Sequence, residues 1–227
     1  MRTLLYGGTF DPPHNGHLNN LRAAMQRVCP QKVVVMPAGV PPHKHASGTP
    51  AALRLEMCQC FSALVQQPGA PALEVSDWEI RQAEQGRQNY TILTLEMLAQ
   101  REAQAELYLT IGSDMLLSFD RWYCWQKILQ LAKLVVVSRS IGDDPELHAK
   151  AKQLDPTGAR ILFAAAQTLP MASSALRARL AEGQSCEQEL PASVRSIILR
   201  EGLYREQKEV MDNGSETGKG ACAQPTE

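Results

Sequence analysis

Gly7-Gly8-Thr9-Phe10-Asp11-Pro12-Pro13-His14-Asn15-Gly16-His17 is the stretch on which the fold turns. Before it, residues 3–6 form a short apolar run that reads as a strand; after it, residues 17–28 carry helical periodicity. A strand, a glycine turn and a helix in succession place a ligand at the carboxyl end of a parallel sheet. Gly7 and Gly8 let the backbone approach that ligand with no Cβ in the way. The helix that follows offers unpaired N–H groups and the positive end of its dipole, which suits phosphate. His14 and His17 are three residues apart and can face one side of the helix entry. Two imidazoles beside a phosphate can donate hydrogen bonds to oxygens that gain charge in a transition state. The same pair could bind a metal, although no third ligand of suitable type sits nearby, or His14 could simply cap the helix. The stretch matches neither the Walker A loop nor the GxGxxG fingerprint, which disfavours phosphate-loop hydrolases and classical dehydrogenases.

Outward from this turn, apolar strand candidates recur at residues 3–6, 32–36, 72–75, 106–111, 133–137 and 160–163. Helical patterns fall between most of them, at 17–28, 51–66, 90–101, 122–131 and 145–153, and two more follow at 173–182 and 191–201. Runs such as VVVM and LVVV suit strands buried on both faces. The alternation predicts an α/β fold, a Rossmann-like doubly wound parallel sheet with helices on both faces. Apolar periodicity ends near Arg205, so residues 1–205 read as one domain and residues 206–227 as a disordered tail.

A chain of 227 residues with 44% hydrophobic and 21% charged side chains has the composition of a soluble globular protein. Its net charge of −1 argues against a nucleic-acid binder that works by bulk phosphate neutralisation. No basic and apolar leader opens the sequence and no apolar run is long enough to span a bilayer, so a cytoplasmic enzyme without membrane partners is expected. The six cysteines, Cys29, Cys58, Cys60, Cys124, Cys186 and Cys222, contain no CxxC pair. They read as reduced thiols, with Cys58 and Cys60 turned to different faces of one helix.

The opening stretch resembles the HxGH nucleotidyltransferase superfamily, and GGTFDPPHNGH is similar to the signature of the bacterial nicotinate-mononucleotide adenylyltransferases. Phosphopantetheine adenylyltransferases and glycerol-3-phosphate cytidylyltransferases share a similar opening, so the motif bears on reaction class more than on substrate. The resemblance implies transfer of AMP from ATP to nicotinate mononucleotide, with a Mg²⁺ ion held mainly through the ATP phosphates. It assigns His14 and His17 to catalysis, and Gly8, Thr9, Phe10, Gly16, Gly112 and Asp114 to ATP together with the two histidines. Lys44 of the PPHK loop, and Ser173, Ser174 and Arg177 of a stretch resembling the family's ISSTxIR motif, are expected on the β- and γ-phosphates. Gly7, Gly8, Thr91, Trp122, Tyr123 and Arg139 are expected at the mononucleotide, with Trp122 stacked on its ring.

The chain departs from the family pattern at Asn89, where serine precedes the Tyr90-Thr91 pair, and at Ala172 and Ser174, where serine and threonine are usual. Arg54 falls where the family often carries arginine and by itself reads as a helix-surface side chain, while His43 and His45 are weaker candidates beside Lys44. Asp77 and Glu79 could meet substrate or orient a loop, Thr91 and Asp114 could serve as helix caps, and Trp125 reads as core. Rival readings are a nucleotidyltransferase for nicotinamide mononucleotide or phosphopantetheine, a nucleotide-binding module without catalysis, and a histidine-based zinc protein. Self-association stays open.

Overall fold

The computed structural model describes residues 1–39, 48–138, 145–167, 169 and 171–205. Six strands, β1 (Arg2–Gly8), β2 (Lys32–Pro37), β3 (Ala72–Val75), β4 (Glu106–Gly112), β5 (Ala132–Ser138) and β6 (Ile161–Ala165), form one sheet. Every pairing is parallel, in the order β3-β2-β1-β4-β5-β6. This is the doubly wound order, with its reversal between β1 and β4.

Alternate side chains of each strand enter two separate cores. Leu4, Tyr6, Val33, Val35, Val135 and Val137 point to one face. There α1 (Asn15–Val28) contributes Leu21, Ala24 and Val28, and α9 (Ala192–Glu201) contributes Val194, Ile197 and Ile198. Met57 of α2 (Ala51–Met57) and Leu176 of α8 (Ser173–Ala181) complete that side. Leu5, Val34, Met36, Leu109, Leu134 and Val136 point to the other face. They meet α4 (Thr91–Arg101), α5 (Ser113–Leu117), α6 (Trp125–Leu131) and α7 (Pro145–Leu154). Spacings such as Leu147, Ala151, Leu154 give each helix the apolar stripe that such packing requires. Fully burying one such aliphatic side chain is worth about 1.5–3 kcal/mol.

Several boundaries differ from the sequence reading. The helix expected over 51–66 is α-helical only to Met57 and continues as a 3₁₀ helix over Cys58–Val65. In the tighter winding residues i and i+3 eclipse, which seats Cys58 and Phe61, both fully buried, on one face. Cys60 is buried as well, and burial pushes its thiol up to about 12. The helix expected from Trp122 begins at Trp125, because Cys124 takes φ +54. A short helix, α3 (Trp78–Glu84), was not anticipated, nor was α5. Among the described residues no helix is long and apolar enough to cross a membrane. The tail over 206–227 and Cys222 lie outside the described residues.

Candidate active site

At the reversal point the carboxyl ends of β1 and β4 part, and a cleft of about 1320 Å³ opens there. Its floor is set by the packing of the glycine turn. Phe10 adopts φ +50 and folds its ring back under β1, 2% exposed. Its centroid lies 5.4 Å from Tyr6, 5.2 Å from Phe61 and 5.2 Å from His17. A Cβ at Gly8 would sit 2.8 Å from that ring, so the position has no room for any other residue.

Helix α1 starts through the two histidines themselves. His14 is its N-cap: the His17 backbone N–H donates to His14 Nδ1 at 3.3 Å, and the His14 N–H donates to His17 Nδ1 at 3.2 Å. This is a capping box with imidazoles in place of the usual Ser and Glu. The rings stack with centroids 3.7 Å apart, and a Cβ at Gly16 would stand 3.0 Å from the His14 ring. Because each Nδ1 accepts, each neutral ring carries its proton on Nε2. The spacing read as chemistry and the reading as a cap are therefore one structure. Among the described residues no three His, Cys, Asp or Glu side chains converge as metal ligands.

Asp11, between these motif elements, is 1% exposed and ties three parts of the chain together. Tyr204, beyond α9, donates its hydroxyl to Asp11 Oδ1 at 2.6 Å. Arg177 donates to the Asp11 carbonyl at 2.7 Å and lies 3.7 Å from Oδ2, while Ser173 Oγ donates to the Pro12 carbonyl at 3.0 Å. Burial and the hydrogen bond to Asp11 push the Tyr204 phenol well above its ordinary range. On the β4 side Asp114 folds back over Gly112, where a Cβ would meet Asp114 Oδ1 at 2.6 Å. Asp114 sits in the first turn of α5 without capping it. Ala172 is the N-cap residue of α8 and has no side chain to offer that helix.

The structure thus brings most of the expected residues to one cleft. Gly7, Gly8, Thr9, Phe10 and Gly16 line it with the two histidines, and so do Gly112, Asp114, Ser173, Ser174 and Arg177. Three others stand outside its walls. Thr91 opens α4, Tyr123 lies against Tyr90 with centroids 4.6 Å apart, and Trp122 packs on Phe119 at 5.2 Å. The N-cap of α4 is Tyr90, so Thr91 is not the cap. Lys44 and Arg139, with His43 and His45, lie outside the described residues. Asp77 pairs with Arg81 at the surface, whereas Glu79 accepts from Thr94 Oγ1 at 2.7 Å. The Asn89 amide donates to the Glu79 carbonyl at 2.7 Å, so Glu79 and Asn89 together fasten α3 to the start of α4. Burial raises the Glu79 carboxyl above its ordinary value. Trp125 packs against the second core, as expected.

Arg54 departs from its sequence reading. It is 4% exposed, and Nη1 donates to the carbonyls of Thr9 at 3.0 Å and Ala38 at 2.7 Å, while Nη2 donates to Gly39 at 3.0 Å. Burial lowers its pKa, and the nearby Asp11 carboxylate opposes that shift. A signal was available: Arg54 shares the inward stripe of α2 with Met57, which marks it as facing the interior. For Asp11 and Tyr204 the contact spans 193 positions, and no local pattern announces it.

The cytidylyltransferase-like family matches residues 5–179. The chain is 35% identical over 209 residues to the "probable nicotinate-nucleotide adenylyltransferase" of Chloroherpeton thalassium, covering 90% of this chain and 98% of that one. It is 35% identical over 216 residues to the protein of the same name from Acidithiobacillus ferrooxidans, covering 89% and 95%. In structure it is similar to the nicotinic acid mononucleotide adenylyltransferase of Plasmodium falciparum complexed with NaAD. That likeness has a TM-score of 0.69 at 16% identity and covers 90% of this chain and 98% of that one, which speaks for a shared fold.

Proposed function

We propose that this chain, which belongs to the cytidylyltransferase-like family and stands among its nicotinate-nucleotide adenylyltransferases, joins nicotinate mononucleotide to the AMP part of ATP. The products are nicotinate adenine dinucleotide and pyrophosphate, a step of NAD biosynthesis. The observation that carries this reading is the reciprocal histidine capping box on the wall of the reversal-point cleft, with Ser173 and Arg177 anchored to the same turn.

In the reaction an oxygen of the mononucleotide phosphate attacks the α-phosphorus of ATP. The bond from that phosphorus to the bridging oxygen breaks, and pyrophosphate leaves in line with the electron pair. No covalent bond to the protein is needed, so the protein supplies alignment and charge stabilisation. His14 and His17, with their protons on Nε2, donate to the α-phosphate and the bridging oxygen. The first turn of α1 adds the positive end of its dipole. Arg177, the Ser174 hydroxyl and the backbone N–H groups of Ser173 and Ser174 at the start of α8 take the β- and γ-phosphates, joined by Lys44, while the Ser173 hydroxyl holds the Pro12 carbonyl. A guanidinium has five N–H donors, enough to hold the Asp11 carbonyl and meet a phosphate. ATP enters as its Mg²⁺ complex, the ion carried by phosphate oxygens and water and neutralising charge on the triphosphate. Gly112 and Asp114 face the ribose side of the cleft. On family resemblance Thr91, Trp122 and Tyr123 keep their place at the mononucleotide's ring end, and Arg139 its place near the mononucleotide's phosphate.

The test is pyrophosphate release from ATP and Mg²⁺, with nicotinate and nicotinamide mononucleotides supplied in parallel. Faster release with the acid supports the proposal. Preference for the amide would keep the chemistry and overturn the ring-end assignment, and release with neither would reject the substrate.

A further inference from the structure

The loops that end β1 and β2 have no hydrogen bonds to each other beyond the sheet save one, from the Ala38 N–H to the Gly8 carbonyl at 2.8 Å, among the described residues. What else joins them is the Arg54 guanidinium, which reaches from α2 to Thr9 on one side and to Ala38 and Gly39 on the other. We infer that Arg54 is a positioning residue for adenylyl transfer, a clasp that sets the phosphate-binding turn against the segment after β2. The inference rests on the function proposed above.

The geometry asks for a guanidinium rather than for a positive charge. Three carbonyl oxygens from two chain segments converge on the Nη1 and Nη2 of one planar fork. A lysine ammonium is a point donor on a flexible stem and cannot reproduce that spread. The site is 4% exposed, so water does not substitute readily for a lost donor. Thr9 is followed by Phe10, whose ring packs against His17, so a shift of Thr9 passes directly to a histidine of the cleft. On the other arm, Gly39 is the residue before the segment that carries Lys44. A Cβ at Gly39 would stand 2.3 Å from the Glu79 carbonyl, so only glycine lets the chain pass this close to α3.

Arg54→Lys and Arg54→Ala test the clasp, with circular dichroism and thermal melting on the same samples. A misplacement of about 1 Å away from the chemistry can cost about 10²-fold in rate. The expected result is a folded Arg54→Lys protein whose kcat falls by about that factor while KM for the mononucleotide changes far less. Millimolar guanidinium should restore part of the kcat of Arg54→Ala, and methylammonium at equal concentration should not. Either variant folded with wild-type kcat overturns the inference, as does equal rescue by the two cations. If neither variant folds, Arg54 serves the fold alone and the positioning role is rejected. If the wild type turns over no mononucleotide, the functional reading falls and amide hydrogen exchange judges the clasp by itself. Faster exchange in Arg54→Lys confined to residues 8–11 and 38–39 supports it, and unchanged exchange there overturns it.

Discussion

His17 accepts the backbone N–H of His14 at 3.2 Å and, from the same position, lines the cleft. Its replacement by alanine removes two things of different size. Loss of the one hydrogen bond from the His14 N–H to the His17 ring costs about 1 kcal/mol of stability, whereas loss of a donor to a developing oxyanion costs about 10²–10³ in kcat. His17→Ala should therefore melt slightly lower and turn over at least a hundredfold more slowly, read from thermal melting and steady-state pyrophosphate release on one preparation. A folded variant with near-normal turnover would remove His17 from the chemistry. The histidine pair was legible in the sequence because its spacing of three is a local fact. Arg54 was not so read, because a cation in a helix suggests solvent, and only the converging carbonyls of Thr9, Ala38 and Gly39 explain its burial.

Helix α8 begins at Ser173 with Ala172 as its N-cap, in extended conformation and without a side-chain hydrogen bond to the first turn. Family resemblance places serine at that position, and a serine hydroxyl could accept from a first-turn N–H. Ala172→Ser should stabilise the protein by about 1 kcal/mol, raising Tm by about 2–4 °C for a domain of this size. Differential scanning calorimetry of the two proteins decides it, and an unchanged Tm would show that the hydroxyl finds no N–H to cap. Elements of this kind were mostly visible in advance, because strand alternation and helical stripes are periodic. The exceptions have local causes that periodicity does not report. Cys124 in the left-handed region delays α6, and the burial of Cys58 and Phe61 on one face accompanies the tightening of the chain after α2.

Across the whole molecule, the end of the sheet opposite the cleft is fastened by charge. Lys32 of β2 pairs with Glu74 of β3 at 2.9 Å and with Glu102, just after α4, at 2.7 Å. Arg101 bridges the same two carboxylates, and Thr3 of β1 donates to Glu102 at 2.6 Å. The hydrogen bond and charge of Lys32, with the Thr3 hydroxyl, outweigh desolvation and hold the Glu102 carboxyl below its ordinary value of 4.5. A carboxyl depressed in the folded state contributes stability above its unfolded pKa, and that contribution is lost as pH falls through the folded pKa. Glu102→Gln should thus cost about 2 kcal/mol at neutral pH, with the difference from wild type shrinking below about pH 4.5. Urea unfolding at pH 7 and pH 3.5 measures both, and a pH-independent difference would mean that the charge of Glu102 is not what stabilises. The sequence by itself determined the layered α/β class, the position of the glycine turn and the paired histidines, since these rest on periodicity and on contacts a few residues apart. Only the tertiary structure decided the strand order, the carbonyl partners of Arg54, the junction of Asp11 with Tyr204 and Arg177, and the standing of Thr91, Trp122 and Tyr123 outside the cleft. Those depend on which distant segments the closing of the two cores presses together, and that is a property of packing rather than of any local stretch.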